Sequence, residues 1–246
     1  MRMVAVVLAG GSGLRFGADV PKQLLSLDGR TLIEHCVAAF DEAPGVDEVL
    51  VVMPAAHIGE AAKLLDSGGF GKLAGIIEGG STRPGSTRRA IAAVSARMAA
   101  EGTGDCGVLL HDAARPLVGQ QIIAGCVAAL GGADAVGVAV PTPDTIVVVE
   151  DGVMTRIPRR DSLLRCQTPQ AFRLSVLARA HQLAQADPDF TPTDDCGVVL
   201  RYLPDVPVRV VAGSEHNLKI TYPRDLAIAE TLLRTADGRD GGDVSS

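Results

Sequence analysis

The chain has 246 residues, a length that suits one large α/β domain. Hydrophobic residues make up 47% and aromatic residues only 3%, so the core must consist of valine, leucine, isoleucine and alanine. The formal net charge of −6 would not attract DNA or an acidic membrane surface, and aromatic side chains for stacking on single strands are scarce. We therefore expect neither a nucleic-acid partner nor a membrane partner, and a phosphorylated ligand would need a local basic cluster.

The cysteines and the start of the sequence bear on location. The five cysteines lack metal-binding spacing, which predicts reduced thiols, mostly buried as small hydrophobic side chains. The apolar start, residues 1–13, is too short to span a membrane and runs into a glycine-rich turn, so we expect no signal peptide. These features predict a cytoplasmic protein.

Short β-branched runs alternate with helical patterns, which is typical of a mostly parallel sheet wrapped by helices. The strands are predicted at residues 4–8, 48–53, 75–78, 107–111, 135–140 and 208–211. The helices are predicted from Thr31, which opens a capping box, and at residues 86–100, 120–130, 174–186 and 194–202, with a last helix at Pro223. We expect residues 1–236 to form a single domain, and the polar tail at 237–246 to be disordered.

A β-hairpin is predicted after the fifth strand. Asp151-Gly152 is a strong turn signal between the alternating runs 145–149 and 153–157. We expect residues 141–165 to project from the sheet as an arm. The arm would pack on a second subunit in a homodimer or lie on its own sheet.

The first segment that carries chemistry, residues 8–22, follows the first strand directly. Its glycines allow the backbone to turn N–H groups toward an anion, and two basic residues add positive charge. The glycines are Gly10, Gly11 and Gly13, and the basic residues are Arg15 and Lys22. A P-loop would need Lys-Ser or Lys-Thr, and a dinucleotide fingerprint would need glycine at Phe16. The segment therefore suits a triphosphate, with a plain strand-to-helix turn as the alternative.

A second glycine-rich segment, residues 79–86, follows another strand. Gly79 and Gly80 permit close approach to a flat ligand, and Arg83 supplies charge. Ser86 is predicted to cap the next helix, to offer a hydroxyl to the ligand, or to do both.

Two further segments carry charged residues. Asp112 ends a strand in the run HDAARP, where a carboxylate beside a nucleotide site commonly holds Mg²⁺. Arg115 is placed to meet the phosphate of a second substrate, although a structural salt bridge with Asp112 is the alternative. Residues 217–221 (NLKIT) are expected to be strand-like, with Lys219 in a polar pocket.

The glycine loop with Arg15 and Pro21-Lys22, together with the HDAARP, TPQ and NLKIT runs, resembles the cytidylyltransferase family of isoprenoid biosynthesis. Those enzymes join CTP to 2-C-methyl-D-erythritol 4-phosphate. The resemblance covers residues 4–233 in the same order and spacing. It implies a Rossmann-like α/β fold, Mg²⁺ as cofactor, and a homodimer formed through the hairpin arm.

The resemblance also implies roles for individual residues. Those that hold the CTP phosphates and stabilise the transition state are Arg15, Lys22 and Lys219. Those that bind CTP are Leu8, Ala9, Gly10, Gly11, Gly13, Gly79, Gly80, Arg83, Ser86, Asp112 and Ala113. Those on the polyol-phosphate side are Asp112, Arg115, Thr145, Arg160 and Thr168, with Thr145 and Arg160 lent by the partner subunit.

Local departures bear on the acceptor. The first loop has LAGG, which is commoner in relatives that act on ribitol 5-phosphate, whereas the isoprenoid enzymes more often have PAAG. Cys196-Gly197 also stands where those enzymes commonly have Ala-Ser, but HDAARPLV is typical of them. We therefore expect methylerythritol phosphate as acceptor, with D-ribitol 5-phosphate or a phosphonate as the alternative.

Overall fold

The computed structural model describes residues 1–10, 21–187 and 189–236. Within them the strands are β1 (Met3–Leu8), β2 (Ser26–Leu27), β3 (Arg30–Thr31), β4 (Glu48–Met53), β5 (Leu73–Glu78), β6 (Gly107–Asp112), β7 (Ala135–Pro141), β8 (Val148–Glu150), β9 (Val153–Arg156), β10 (Leu164–Arg173) and β11 (Val208–Ala212). The helices are α1 (Leu32–Asp41), α2 (Ile58–Gly68), α3 (Arg83–Ala100), α4 (Gln120–Leu130), α5 (Leu174–Ala184), α6 (Asp195–Tyr202) and α7 (Pro223–Ala236). No helix in these ranges is long and apolar enough to cross a membrane.

Seven of these strands form one sheet in the order β11-β7-β10-β6-β1-β4-β5. Neighbours are parallel except at β10, which runs antiparallel to both β6 and β7. The predicted α/β fold with a mostly parallel sheet is confirmed. Strand β10 was not predicted, because its sequence LRCQTPQAFR interrupts the apolar pattern with polar residues and a proline.

The core lies on both faces of the sheet. Along β1, Ala5 and Val7 pack with α1 and α4, whereas Val4 and Val6 pack on the other face with residues of α3, α5 and α6. A strand buried on both faces needs apolar residues at every position, as the run MVAVVL has.

Helix α1 connects this core to the end of β6. As predicted, Thr31 and Glu34 form a reciprocal capping box. Phe40 is fully buried, and its ring meets that of His111 edge to face with centroids 5.1 Å apart. The helix therefore supports the turn that follows β6.

We expect Phe40→Ala to destabilise the chain by about 3–5 kcal/mol, because it leaves a cavity between α1 and the sheet. Denaturant unfolding followed by circular dichroism measures the change. The control is Leu200→Ala, since Leu200 is 57% exposed and surface changes usually stay within ~0.5 kcal/mol. Equal midpoints for the two variants would contradict the packing described for Phe40.

The predicted hairpin is confirmed, although its first strand begins at Val148 rather than at residue 145. Its turn uses Asp151 and Gly152, whose positive φ angles of 50° and 78° match the right-handed twist of the strands. Strands β8 and β9 form a separate two-stranded sheet, and in the described part of the chain they pair with no strand of the main sheet.

Two local predictions are wrong. Helix α3 begins at Arg83, and its cap is Thr82, whose hydroxyl accepts the Gly85 N–H at 3.1 Å. Ser86 therefore lies inside the helix and does not cap it. Residues 217–221 are not a strand, because their side chains and carbonyls are held by contacts with other segments instead of a ladder.

Candidate active site

The carboxyl ends of neighbouring strands meet at one edge of the sheet. Leu8 lies opposite Asp112 in the β1–β6 register, and the Ala113 N–H donates to the Leu8 carbonyl at 3.0 Å. Gly79 continues β5, and its N–H donates to the Met53 carbonyl at 2.8 Å. Ligands of open α/β sheets bind at such strand ends, so residues 8–10, which begin the first predicted segment, and the segment at 79–86 lie at a ligand-binding edge.

Asp112 is held there by two cations. Its carboxylate accepts from Arg83 Nε at 3.1 Å and from Lys219 Nζ at 2.7 Å. Burial works to raise the pKa of this carboxyl, but the charges of Arg83 and Lys219 outweigh it and lower the pKa well below its usual range. Asp112 is therefore ionised, with Arg83 and Lys219 as its partners instead of Arg115.

Lys219 reaches Asp112 because polar contacts hold its segment on β10. Gln167 donates from Nε2 to the Ser214 carbonyl at 2.8 Å and accepts from Asn217 Nδ2 at 3.3 Å. The same Asn217 amide donates to the Thr168 carbonyl at 2.8 Å. Lys219 therefore meets the Asp112 carboxylate with a side chain that is 46% exposed, and its location depends on β10.

Lys22 approaches the same segment from the other end of the chain. Its Nζ donates to the Ile220 carbonyl at 2.7 Å, a contact across 198 residues of sequence. Since Ile220 follows Lys219, the two lysines predicted to act on the triphosphate converge on one short segment.

A buried histidine orders the turn after β6. Burial lowers the pKa of His111 to about 4, so its ring is neutral at neutral pH. Its Nε2 lies 3.0 Å from the Arg115 carbonyl, to which it must donate, leaving Nδ1 to accept from the Thr168 hydroxyl at 3.1 Å. Thr168 Oγ1 in turn accepts the Asp112 N–H at 3.1 Å, so the chain of bonds fixes the turn that carries Asp112 and Arg115.

Ser86 is packed against the glycines of both segments. It is only 2% exposed, and its hydroxyl accepts the Gly80 N–H at 3.1 Å. A Cβ added at Gly10 or Gly79 would lie 3.1 or 2.9 Å from this hydroxyl oxygen. The glycines thus allow the two strand ends to approach the start of α3 closely.

Comparison with known proteins decides the family. Residues 3–235 match the family model of 2-C-methyl-D-erythritol 4-phosphate cytidylyltransferase (IspD). A 2-C-methyl-D-erythritol 4-phosphate cytidylyltransferase from Thermobifida fusca (strain YX) is 52% identical over 239 residues, which cover 95% of this chain and 94% of that protein. The chain belongs to the 2-C-methyl-D-erythritol 4-phosphate cytidylyltransferase family.

Solved structures agree with this family. The 4-diphosphocytidyl-2C-methyl-D-erythritol synthase of Anaerococcus prevotii DSM 20548 superimposes with a TM-score of 0.81 at 26% identity, covering 95% of this chain and 96% of that one. A second kind of relative is a bifunctional ribulose 5-phosphate reductase/CDP-ribitol pyrophosphorylase from Haemophilus influenzae. It is 37% identical over 94% of this chain, which spans 48% of that protein.

The structure brings together part of the set that the cytidylyltransferase resemblance implies. The contacts above link four of the predicted positions, namely Arg83, Asp112, Thr168 and Lys219. Seven others lie at the adjoining strand ends: Leu8, Ala9, Gly10, Gly79, Gly80, Ser86 and Ala113. The predicted Arg15, Gly11 and Gly13 lie outside the described residues.

The two arm positions predicted by the family resemblance form a pair of their own. Arg160 Nη2 donates to the Thr145 hydroxyl at 2.8 Å. Across residues 1–10, 21–187 and 189–236, no hydrogen bond or ion pair joins this pair to Asp112, Lys219 or Arg115.

Several residues important for the geometry were missed by sequence reasoning. Gln167 and Asn217 hold the Lys219 segment, His111 holds the turn, and Asp195 accepts from Arg83 Nη1 at 2.7 Å. Gln167 directly precedes the TPQ run and Asn217 is the first residue of the NLKIT run, so those runs were the available signal. Nothing local indicated that Asp195 would meet Arg83.

The residues at this edge fit a metal ion that arrives with a nucleotide. In the described ranges, no group of three His, Cys, Asp or Glu side chains could hold a metal by itself. Magnesium usually takes one or two carboxylates and fills its other positions with substrate phosphates and water. The ionised Asp112 supplies one such carboxylate, and each of its oxygens has a second lone pair.

We expect Gly80→Ala to weaken CTP binding by roughly ten- to hundredfold, the equivalent of the ~1–3 kcal/mol that overpacking typically costs. A Cβ at Gly80 would lie 2.6 Å from the Gly85 backbone carbon, so the loop would have to open. Titration calorimetry with CTP measures the loss.

The matched control is Gly59→Ala in α2, where an added Cβ meets no atom within 4 Å. If both variants bound CTP equally well, the loop at residues 79–86 would not contact the nucleotide.

Proposed function

We propose that this chain is a CTP:polyol-phosphate cytidylyltransferase that joins CTP to 2-C-methyl-D-erythritol 4-phosphate and releases pyrophosphate. The observation that carries the proposal is the meeting of Asp112, Arg83 and Lys219 at the strand ends, beside Lys22 and the glycine segments. This arrangement in a chain of the family supports a site for a triphosphate and a second anion.

The proposed reaction is an in-line displacement at the α-phosphorus of CTP. A phosphate oxygen of the polyol phosphate forms a new bond to that phosphorus, while the bond to the oxygen bridging to the β-phosphorus breaks. Pyrophosphate leaves with the bonding electrons. A phosphate monoester already carries between one and two negative charges at neutral pH, so the attack needs no general base.

What the chain must supply is positive charge and alignment. We propose that Lys219, Lys22 and Arg15 reduce repulsion between the anions and stabilise the transition state, while the glycine-rich backbone contributes N–H dipoles. Magnesium, proposed to be held by Asp112 and the phosphates, would neutralise charge on the triphosphate when bound.

Arg115 is proposed to bind the phosphate of the polyol. Its Nη1 donates to the Asn217 carbonyl at 2.7 Å, and among the residues that the structure describes its Nε has no hydrogen-bond partner. We expect Arg115→Ala to raise KM for the polyol phosphate by roughly ten- to hundredfold, since hydrogen bonds to charged groups contribute ~1.5–3 kcal/mol. CTP binding should stay nearly normal; steady-state kinetics with each substrate varied measures both values.

Arg97→Ala is the control, because it removes an arginine that pairs with Glu48, at the start of β4 and so at the opposite end of that strand from the site. A collapse of CTP binding in Arg115→Ala would assign Arg115 to the nucleotide side.

We also propose a homodimer formed through the arm. The small β8–β9 sheet exposes Val149, Val153 and Met154, and Ile157 follows it directly; each of the four is 55–64% exposed. Such a patch on a hairpin outside the main sheet suits a second copy of the chain, which could then lend Thr145 and Arg160 to the polyol side. Light scattering on the eluting protein tests this, since a monomer would rule it out.

Pyrophosphate release with CTP and Mg²⁺, run in parallel with methylerythritol phosphate and D-ribitol 5-phosphate, tests the proposed function. Turnover with methylerythritol phosphate alone supports it, and omission of Mg²⁺ tests the metal requirement. Turnover with ribitol phosphate alone would favour the activity named for the Haemophilus relative. Inactivity with both would require another acceptor, such as a phosphonate.

We also propose a cytoplasmic location for the chain. The feature that supports it is that all five cysteines are free thiols.

A further inference from the structure

Arg83 joins two carboxylates that lie far apart in sequence. Its Nε donates to Asp112 Oδ1 at 3.1 Å, and its Nη1 donates to Asp195 Oδ2 at 2.7 Å. The second oxygen of Asp195 accepts from His181 Nε2 at 3.0 Å. The side chains of Asp195 and His181 are 1% and 3% exposed, so this chain of contacts runs from the helical layer to the site.

Asp195 is itself firmly held. It is the first residue of α6, where the helix dipole favours a negative charge. The Gln170 side chain accepts the Asp195 N–H at 3.0 Å and the Cys196 N–H at 3.2 Å. Burial works to raise the pKa of Asp195, but the His181 hydrogen bond and the Arg83 charge outweigh it and lower the pKa. Arg83 is therefore paired with a fixed, ionised carboxylate.

The other partner of Asp112 is less confined. The Lys219 side chain is 46% exposed, whereas that of Arg83 is 26% exposed. An incoming triphosphate would draw Lys219 toward its oxygens and leave Asp112 with Arg83. It would draw Arg83 as well, unless another anion held the guanidinium in place.

We infer that Asp195, oriented by His181, is a positioning residue that keeps Arg83 against Asp112 when anionic substrates enter. The inference rests on the proposed cytidylyl transfer at Asp112. The cations Arg83 and Lys219 and the carboxylates Asp112 and Asp195 form one cluster of four charged groups. Removal of the Asp195 charge would leave a net positive charge and release one side of Arg83.

The chain offers a matched control for a buried carboxylate. Glu48 has a 5% exposed side chain and is paired with Arg2 and Arg97, as Asp195 is paired with Arg83 and His181. It begins β4, at the end of the strand away from the site. Glu48→Gln therefore removes a comparable ion pair without touching the Arg83 contacts.

The test compares Asp195→Asn with Glu48→Gln in the pyrophosphate-release assay. We expect kcat to fall roughly ten- to hundredfold in Asp195→Asn, by analogy with the loss seen when the partner that orients a metal-binding side chain is removed. KM for CTP should change much less, and Glu48→Gln should keep the wild-type kcat. Equal kcat for the two variants at matched thermal stability would overturn the inference.

Two variants of His181 provide a second test in which the Asp195 charge stays. His181→Gln retains a donor for Asp195 and should keep most of kcat, whereas His181→Leu removes the donor and should lower it. Equal kcat values for His181→Gln and His181→Leu would overturn the role given to His181.

A measurement without turnover separates this inference from the proposed function, since an inactive wild type would count against the function alone. Exchange of the Arg83 Nε–H proton, followed by NMR with CTP present, should be faster in Asp195→Asn than in the wild type and unchanged in Glu48→Gln. Unchanged exchange in Asp195→Asn would overturn the positioning role.

Discussion

Lys219→Ala is expected to lower kcat by about 10²–10³-fold, which is typical of removing one donor that acts mainly in the transition state. Lys219 Nζ lies 2.7 Å from Asp112 Oδ2, and its side chain is 46% exposed, so it can turn from this carboxylate to an incoming phosphate. KM for CTP should rise less than kcat falls, because the glycine segments are proposed to bind the nucleotide as well.

Steady-state pyrophosphate release measures the Lys219 effect, with circular dichroism to establish that the variant is folded. Lys63→Ala is the control, because it removes the charge of an exposed lysine on α2, to which no role in the site is assigned. A loss of less than tenfold in kcat for folded Lys219→Ala would mean that Lys219 does not stabilise the transition state.

Lys22→Ala is expected to have an effect of the same size, ~10²–10³-fold on kcat. Its ammonium group lies beside the segment that carries Lys219, since it donates to the Ile220 carbonyl at 2.7 Å. The variant thus loses positive charge where the triphosphate is proposed to bind, and Lys22→Arg should retain more activity because it keeps the charge.

Lys72→Ala is a closely matched control for Lys22→Ala. Lys72 Nζ donates to the Ala43 carbonyl, also at 2.7 Å, but near the start of β5. If the two variants lost the same modest amount of activity, the contact of Lys22 with Ile220 would be structural only.

Much of the fold follows from local patterns. Continuous apolar runs predicted β1 and β4 because strands of a parallel sheet are buried on both faces. Thr31 and Glu34 predicted the start of α1, and Asp151-Gly152 predicted the hairpin turn, since in each case the deciding interaction lies within a few residues.

Local patterns failed where the deciding interaction was distant. The polar residues of β10 are tolerated in a central strand because partners elsewhere in the chain satisfy them, as Ser214 and Asn217 do for Gln167. Residues 217–221 alternate like a strand, yet they follow an irregular path set by the Lys22, Arg115 and Thr168 contacts.

The sequence was sufficient to identify the family and to predict candidate groups for the site, because glycine-rich turns at strand ends and basic residues near them are local and recur in order. The pairing of those groups needed the tertiary structure. Asp112 meets Arg83 and Lys219 across 29 and 107 residues, and Arg83 meets Asp195 across 112. Such pairings depend on how strands and helices are arranged in the sheet, and a charged side chain carries no local mark of the distant partner that will neutralise it.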